Sequence, residues 1–213
     1  SARRQRQMCI RDSTYTLDAQ AVHLIGMIHI GEPEAYHRLF EGVPVENTLV
    51  LSEGVSMSDD ALPAPDAENL NYGQVASKLN LTPQAPISAL TAAEERNADL
   101  ALGDFSAQTQ ALISEITALH SAPDTATFLA RYHAFSATLA DDPTLIDGLL
   151  HDIVTLRNAH LIEELDAALS EYQTVVIPWG AYHMPELVAA VEGRGFVVED
   201  EFRVTVIRYG TVF

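Results

Sequence analysis

The chain has 213 residues, of which 47% are apolar, and a formal net charge of −18. The length suits one domain with a substantial core, and the charge argues against a broad basic surface for nucleic acid or an anionic membrane. Cys9 is the single cysteine, which excludes an internal disulfide, and no apolar run approaches the length of a membrane span.

The first part of the chain predicts a basic arm followed by short strands. Residues 1–12 contain four arginines and are expected to form a mobile arm. Residues 14–17 and 21–30 predict the two strands of a hairpin, and Pro33 opens a helix after them. The apolar run at 48–51 predicts another strand.

The middle of the chain is mostly helical in pattern. Residues 69–79 predict a weak helix, and Ser88 is expected to cap a second helix that ends at Asn97. A strand is predicted at 98–102. Residues 106–169 then have a helical pattern throughout, and two proline-containing breaks divide them into three helices.

The last part of the chain returns to strands. Residues 174–177 predict a buried strand, and Pro185 opens a helix shortly after it. Two final strands are predicted at 196–198 and 203–208, separated by the acidic triplet 199–201.

This alternation of strands and helices predicts an α/β fold with a mixed, largely parallel central sheet and flanking helices. We expect one domain over residues 13–213, with a helical insertion at about 105–170. In such sheets, ligands bind outside the carboxyl ends of the strands. The residues that follow each predicted strand are therefore the candidates for a functional site.

Residues of metal-ligand or acid–base type follow several of these strands, namely His29, Glu53, Asp104 and His183. The two histidines lie in matching segments, GMIHIGEPEAYHRL and GAYHMPELVAAV, which run from a glycine through two residues to a histidine and then to Pro-Glu. A histidine at such a junction can bind a metal ion or move a proton. Glu53 and Asp104 are candidate ligands or general bases. The alternative interpretation is that these four residues are polar caps or solvated side chains at strand ends, with no functional role.

Arg157 lies on a predicted apolar stripe of its helix, formed by Leu150, Val154, Leu161, Leu165 and Ala168. An arginine on a core-facing stripe needs a carboxylate or a bound anion. It is expected to pair with Glu53 or Asp104 or to stabilise an oxyanion, and Asn158 beside it can donate an amide hydrogen bond. The alternatives are a structural ion pair or a side chain that reaches solvent.

Several stretches together resemble the TraB/PrgY/GumN family, which includes the TIKI proteases. The matching stretches are LIGMIHIGEPEAYHRLF, TLVLSEG, ADLALGDFSAQT, LRNAHLIEEL and VVIPWGAYHMPELVAAVEGRGFVV. The resemblance implies a fold similar to erythromycin esterase and ChaN-like proteins, and a metal-dependent hydrolase that acts on a peptide or amide bond. It implies a metal site at His29, His183 and Glu53, with Arg157, Asn158 and, less generally in the family, Asp104 in catalytic roles.

The expected cofactor is a divalent ion such as manganese, cobalt or zinc, because imidazole and carboxylate ligands suit all three. The expected partner is a peptide or small-molecule substrate. Two other functions stay open at this point. One is a non-catalytic protein that binds a peptide or haem, for which Tyr36 and Tyr182 are candidate haem contacts. The other is a metal-free hydrolase of esters that works by acid–base catalysis.

Overall fold

The computed structural model describes residues 6–56, 76, 80–142 and 144–209. The chain divides into two compact units. The first comprises Ser1–Glu53, Tyr72–Ala98 and Leu161–Phe213, and the second comprises Gly54–Asn71 and Asp99–His160. The second unit contains most of the helical insertion that the sequence predicts within its single domain.

The described strands, in chain order, are β1 (Arg6–Leu17), β2 (Gln20–Met27), β3 (Ile30–Gly31), β4 (Thr48–Ser52), β5 (Thr82–Pro83), β6 (Glu94–Asn97), β7 (Thr174–Gly180) and β8 (Val197–Tyr209). The described helices are α1 (Pro33–Leu39), α2 (Ala107–His120), α3 (Thr125–Asp141), α4 (Thr144–Leu150), α5 (Arg157–Glu171) and α6 (Met184–Gly193).

The first unit is built on a mixed sheet, which in the described part of the chain has six strands in the order β6-β4-β7-β2-β1-β8. The strands from β6 to β2 are parallel to one another, and β1 pairs antiparallel with both β2 and β8. The small strands β3 and β5 form a separate pair. This arrangement, with helices against the sheet, confirms the predicted α/β fold.

Apolar side chains cover both faces of this sheet because successive residues of a strand point to opposite sides. On one face, Val175 and Ile177 share a core with residues of α5 and α6 such as Leu165 and Leu187. On the other face, Val176 shares a second core with residues of α1 that include Tyr36 and Leu39. The parallel strands are therefore buried on both sides, as is usual for parallel sheets.

The second unit consists mainly of helices. Ser106 precedes α2 and its side chain accepts the N–H of Thr109, while Asp124 precedes α3 and accepts the N–H of Thr127. A π-helix of six residues, His151–Leu156, lies between α4 and α5. In the described ranges, no helix combines the length and the apolar character needed to cross a membrane.

The predicted helix that begins at Ser88 is wrong. Ile87–Ala89 forms one 3₁₀ turn, and Glu94–Asn97 is the edge strand β6, which pairs in parallel with β4. The strand predicted at 98–102 is also wrong, because residues 98–100 are irregular, Ala101 forms only an isolated bridge with Ser56, and Leu102–Asp104 is a 3₁₀ turn. The alanine- and glutamate-rich sequence favours a helix, but hydrogen bonding to a buried strand outweighs that modest preference.

The structure also differs from the predictions at both ends of the sheet. Residues 6–12, predicted as part of a mobile arm, belong to β1, where Ile10 and Asp12 are buried. The acidic triplet 199–201 does not separate two strands, because β8 continues through it with a register shift against β1. The helix predicted at 69–79 lies outside the described residues except for Ala76.

Candidate functional site

Glu53 and His183 lie at the carboxyl ends of neighbouring parallel strands in the first unit. Glu53 directly follows β4, and His183 lies three residues after Gly180, the last residue of β7. Because β4 and β7 pair in parallel, both side chains occur at the same edge of the sheet.

The Glu53 carboxylate and the His183 imidazole face each other at this edge. His183 Nε2 lies 3.7 Å from Glu53 Oε1, and the side chains are 5% and 17% exposed, respectively. The backbone N–H of Gly180 donates a 2.6 Å hydrogen bond to Glu53 Oε2. One carboxylate oxygen is thus held by β7, while the other is directed toward the imidazole.

Trp179 supports both members of this pair. Its fully buried ring contacts the His183 ring edge-to-face, with the ring centroids 5.1 Å apart. Its indole N–H donates a 3.0 Å hydrogen bond to the carbonyl of Leu51, two residues before Glu53. Trp179 therefore fixes the position of His183 relative to the strand that carries Glu53.

The turn after β7 brings His183 back toward Glu53. The N–H of His183 donates to the carbonyl of Gly180 over 2.9 Å, and α6 begins at the next residue, Met184. A Cβ atom at Gly180 would lie 3.4 Å from Glu53 Oε2 and 3.6 Å from His183 Cδ2. Because Gly180 has no side chain, the side chains of Glu53 and His183 have space to approach each other.

His29 lies at the same edge of the sheet but in a different environment. β2 pairs in parallel with β7, with Met27 opposite Gly180, so the strands that precede the two histidines end side by side. The His29 side chain is exposed, and its carbonyl accepts the N–H of Gln84 over 2.8 Å. Considering only the residues that the structure describes, no three His, Cys, Asp or Glu side chains form a group that could hold a metal ion.

Arg157 belongs to the second unit, where the carboxylate that binds it is Asp99. Arg157 Nε and Nη2 donate to the two oxygens of Asp99 over 2.8 and 2.5 Å. The backbone N–H groups of Gly54 and Leu100 donate to the same carboxylate over 2.9 and 2.8 Å. Asp99 was not among the partners expected from the sequence, which were Glu53 and Asp104.

The π-helix accounts for the part of the predicted apolar stripe that is not buried. Leu161, Leu165 and Ala168 are fully buried as the stripe predicts, but Leu150 is 47% exposed. A π-helix has more residues per turn than an α-helix, so His151–Leu156 shifts the register between the two halves of the stripe.

The other predicted residues of the second unit have local partners or are enclosed. The Asp104 carboxylate accepts the N–H of Ala101 over 2.9 Å, an interaction that closes the 3₁₀ turn. Asn158 is fully buried. The catalytic roles of Asp104, Arg157 and Asn158 stay predictions.

No protein-family model matches this chain, and neither the curated proteins nor the solved structures include a significant match to it. The resemblance to the TraB/PrgY/GumN family therefore stays a prediction made from the short stretches quoted above.

Three residues of these sites were missed by the sequence reasoning. Asp99 falls inside the strand that the sequence predicts at 98–102, whereas in the structure it lies two residues after the end of β6. Trp179 and Gly180 lie inside the motif that led to His183, but the sequence does not show that a backbone N–H reaches Glu53. Such contacts depend on strand register, which the sequence pattern does not determine.

Proposed function

We propose that this protein is a divalent-metal-dependent hydrolase that acts on a peptide or amide bond, with Glu53 and His183 as metal ligands. The observation that carries the proposal is the convergence of these two side chains, from separate strands, at the carboxyl edge of the sheet. Ligand sites of α/β sheets occur at this edge.

The spacing of the two donor atoms suits a shared ion. Two ligands at about 2.0–2.2 Å from one ion, at an angle of about 110–120°, have donor atoms about 3.3–3.8 Å apart. The 3.7 Å between His183 Nε2 and Glu53 Oε1 falls in this range and is longer than a hydrogen bond. The chemistry of the donors, one imidazole and one carboxylate, suits manganese, cobalt or zinc.

His29 is the third ligand in this proposal. Its strand borders β7, and its exposed side chain lies on a loop that follows β2 by two residues. Because the described side chains do not form a complete three-ligand group, His29 would join the ion by a change of side-chain rotamer. The remaining positions would be open to water or substrate, as in catalytic metal sites.

The residues around the pair have supporting roles in this mechanism. When bound, the ion polarises a carbonyl group and increases the acidity of a water molecule. The N–H of Gly180 orients the Glu53 carboxylate, as partners of metal ligands commonly do. Trp179 fixes the His183 ring and excludes water from one side of it. The resemblance to the TraB/PrgY/GumN family supports a peptide or amide bond as the target.

A second candidate is a metal-free hydrolase in which the same pair works by acid–base catalysis. The observation that favours it is the direct approach of a carboxylate to a buried imidazole, an arrangement that can orient the ring and stabilise its protonated form. Haem binding is less well supported, because Tyr36 is buried and its hydroxyl donates to the carbonyl of Ile28.

Calorimetric titration with manganese, cobalt and zinc tests the first candidate. We expect one ion per chain, with an affinity reduced at least about 100-fold in Glu53→Gln and in His183→Gln. His37→Gln is the matched control, because His37 is an exposed histidine of α1 in the same unit.

The result that contradicts the first candidate is the absence of ion binding, or equal binding by all four proteins. Chelator-resistant hydrolysis of ester or peptide substrates, abolished in His183→Gln, would then support the metal-free candidate.

A further inference from the structure

Arginines are scarce in this acidic chain, and most of those whose side chains the structure describes have a partner. Arg131 donates to the carbonyl of Ala118, and the carboxylate-bound arginines are Arg11, Arg96, Arg157, Arg194 and Arg208. Within that described set, Arg38 and Arg203 have neither an ion pair nor a side-chain hydrogen bond. These two cations are therefore available to an anion from outside the chain.

Arg38 and Arg203 line the same groove, which has a volume of about 410 Å³. The other lining residues are Glu41, Phe202, Val204 and Thr205. Because successive residues of a strand point to opposite faces, a groove lined by four consecutive residues of β8 follows the edge of that strand. Among the strands that the structure describes, β8 lies at an edge of the sheet, so no described strand pairs with its outer backbone groups there.

The neighbouring part of the same edge already binds an acidic residue in an extended conformation. The N–H of Glu32 donates to the carbonyl of Val206 over 2.8 Å, and Glu32 Oε1 accepts the N–H of Arg208 over 2.9 Å. Glu32 Oε2 also pairs with the Arg208 guanidinium. The backbone of Glu32 is extended, with φ −70° and ψ 134°. This intramolecular contact shows the chemistry by which the edge recognises a carboxylate.

We propose that the groove along Phe202–Thr205 binds an extended peptide segment that carries one acidic side chain. The peptide backbone would add to the edge of β8, as in other cases of strand addition. Its carboxylate would pair with Arg203, the positive charge of Arg38 in the same groove would attract it, and its apolar neighbours would pack on Phe202, which is 40% exposed. Glu41 and the acidic residues 199–201 disfavour a longer acidic run, so the recognised segment carries a single carboxylate between apolar residues.

Binding of short labelled peptides tests this proposal. The probe is TVEVT-amide with a rhodamine label on its N-terminus, and the matched control peptide is TVQVT-amide with the same label, both followed by fluorescence anisotropy on the full chain. We expect saturable binding of the first peptide, weakened about three- to fivefold by Arg38→Gln or by Arg203→Gln and by added salt. Arg96→Gln is the control variant, because it removes one partly exposed arginine of the same unit that does not line the groove.

Amide proton–nitrogen correlation spectra give the location of the bound peptide. Shifts of the Phe202–Thr205 amides, without a shift of the Arg208 amide that Glu32 holds, would support the proposal. Equal binding of the two peptides, no saturation at millimolar concentration, or shifts confined to other residues would overturn it. Concentration-dependent shifts of these amides without peptide would also overturn it, since the occupant would then be a second copy of the chain.

Discussion

His183 is 4% exposed and contacts Trp179 and Glu53, whereas His29, in the matching motif, is exposed. In both motifs, a glycine in a buried strand precedes the histidine by three residues. After Gly180 the strand ends, and α6 begins immediately after His183. After Gly26 the chain continues through β2 and forms β3 before α1 begins at Pro33.

The motif alone therefore does not determine whether its histidine is buried. The residues that follow the two histidines differ. His183 directly precedes α6, and its carbonyl accepts the N–H of Leu187, whereas the chain after His29 forms β3, which pairs with β5. A short motif of this kind therefore predicts that its histidine lies at the edge of the sheet. Whether the histidine side chain is buried depends on the elements that follow the motif.

The largest expected effect on stability concerns Asp12, which lies on β1 beside the first glycine–histidine motif. Asp12 is 3% exposed and lies opposite Ile25, the residue before Gly26. Burial, and then the charge of Asp200, raise the pKa of Asp12 from 3.8 to about 7. Between those values the native state holds a proton that the unfolded chain releases, so the free energy of unfolding falls as the pH rises.

Asp12→Asn should remove the decrease in the free energy of unfolding that the wild-type chain shows as the pH rises from about 4 to about 7. We expect the variant to be more stable than the wild-type chain by up to about 4 kcal/mol at a pH of about 8, and by little at a pH of about 4. Urea unfolding across this pH range gives the measurement. Asp200→Asn, which removes only the secondary cause, should have a smaller effect in the same direction. Identical pH profiles for Asp12→Asn and the wild-type chain would contradict the account.

The two motif glycines should differ in what their replacement disturbs. A Cβ atom at Gly26 would lie 3.2 Å from the carbonyl oxygen of Arg11, which is backbone and cannot move independently. We expect Gly26→Ala to cost about 2 kcal/mol of stability. At Gly180 the nearest atom would be Glu53 Oε2 at 3.4 Å, so Gly180→Ala should cost less than about 1 kcal/mol but weaken metal binding.

Thermal unfolding and metal titration of the two alanine variants check this contrast. The opposite pattern, with Gly180→Ala the less stable variant and metal binding unaffected, would mean that the close approach of Gly180 to Glu53 has no role in the site.

The smallest expected effect concerns the loop that carries His29. The Tyr36 hydroxyl donates a 3.0 Å hydrogen bond to the carbonyl of Ile28 and thereby holds this loop. Tyr36→Phe should cost about 1 kcal/mol of stability. Tyr182, which is 87% exposed beside His183, provides the control, because Tyr182→Phe should change stability very little. Equal costs for the two variants would argue against a role of this hydrogen bond.

Much of the fold could be predicted because its buried strands are short apolar runs between turn residues. The runs that became β4 and β7 are fully buried over most of their length, and their pattern is unambiguous. The edge strands were harder to predict. Glu94–Asn97 has polar side chains and is a strand only because β4 supplies its hydrogen bonds, and no local pattern records that pairing.

Some residues of the candidate site could be predicted from the sequence, but their contacts with distant residues could not. Glu53 and His183 could be found because each follows a short apolar run that predicts a buried strand, and ligands of α/β sheets bind at the carboxyl ends of such strands. The partner of Arg157 could not, since several carboxylates follow strands and only the folded chain shows that Asp99 is the one it binds. The contacts of Trp179 with Leu51 and His183 likewise join residues that are distant in sequence.

We propose that Glu53 and His183 share one divalent ion. The single tryptophan of the chain gives a direct test of this proposal. The Trp179 ring lies 5.1 Å from the His183 ring, and cobalt ions quench indole fluorescence at short range. We predict saturable quenching by cobalt at one ion per chain, weakened at least about 100-fold in Glu53→Gln and His183→Gln and about tenfold in His29→Gln. Quenching that does not saturate, or that is the same in all of these variants, would contradict the claim.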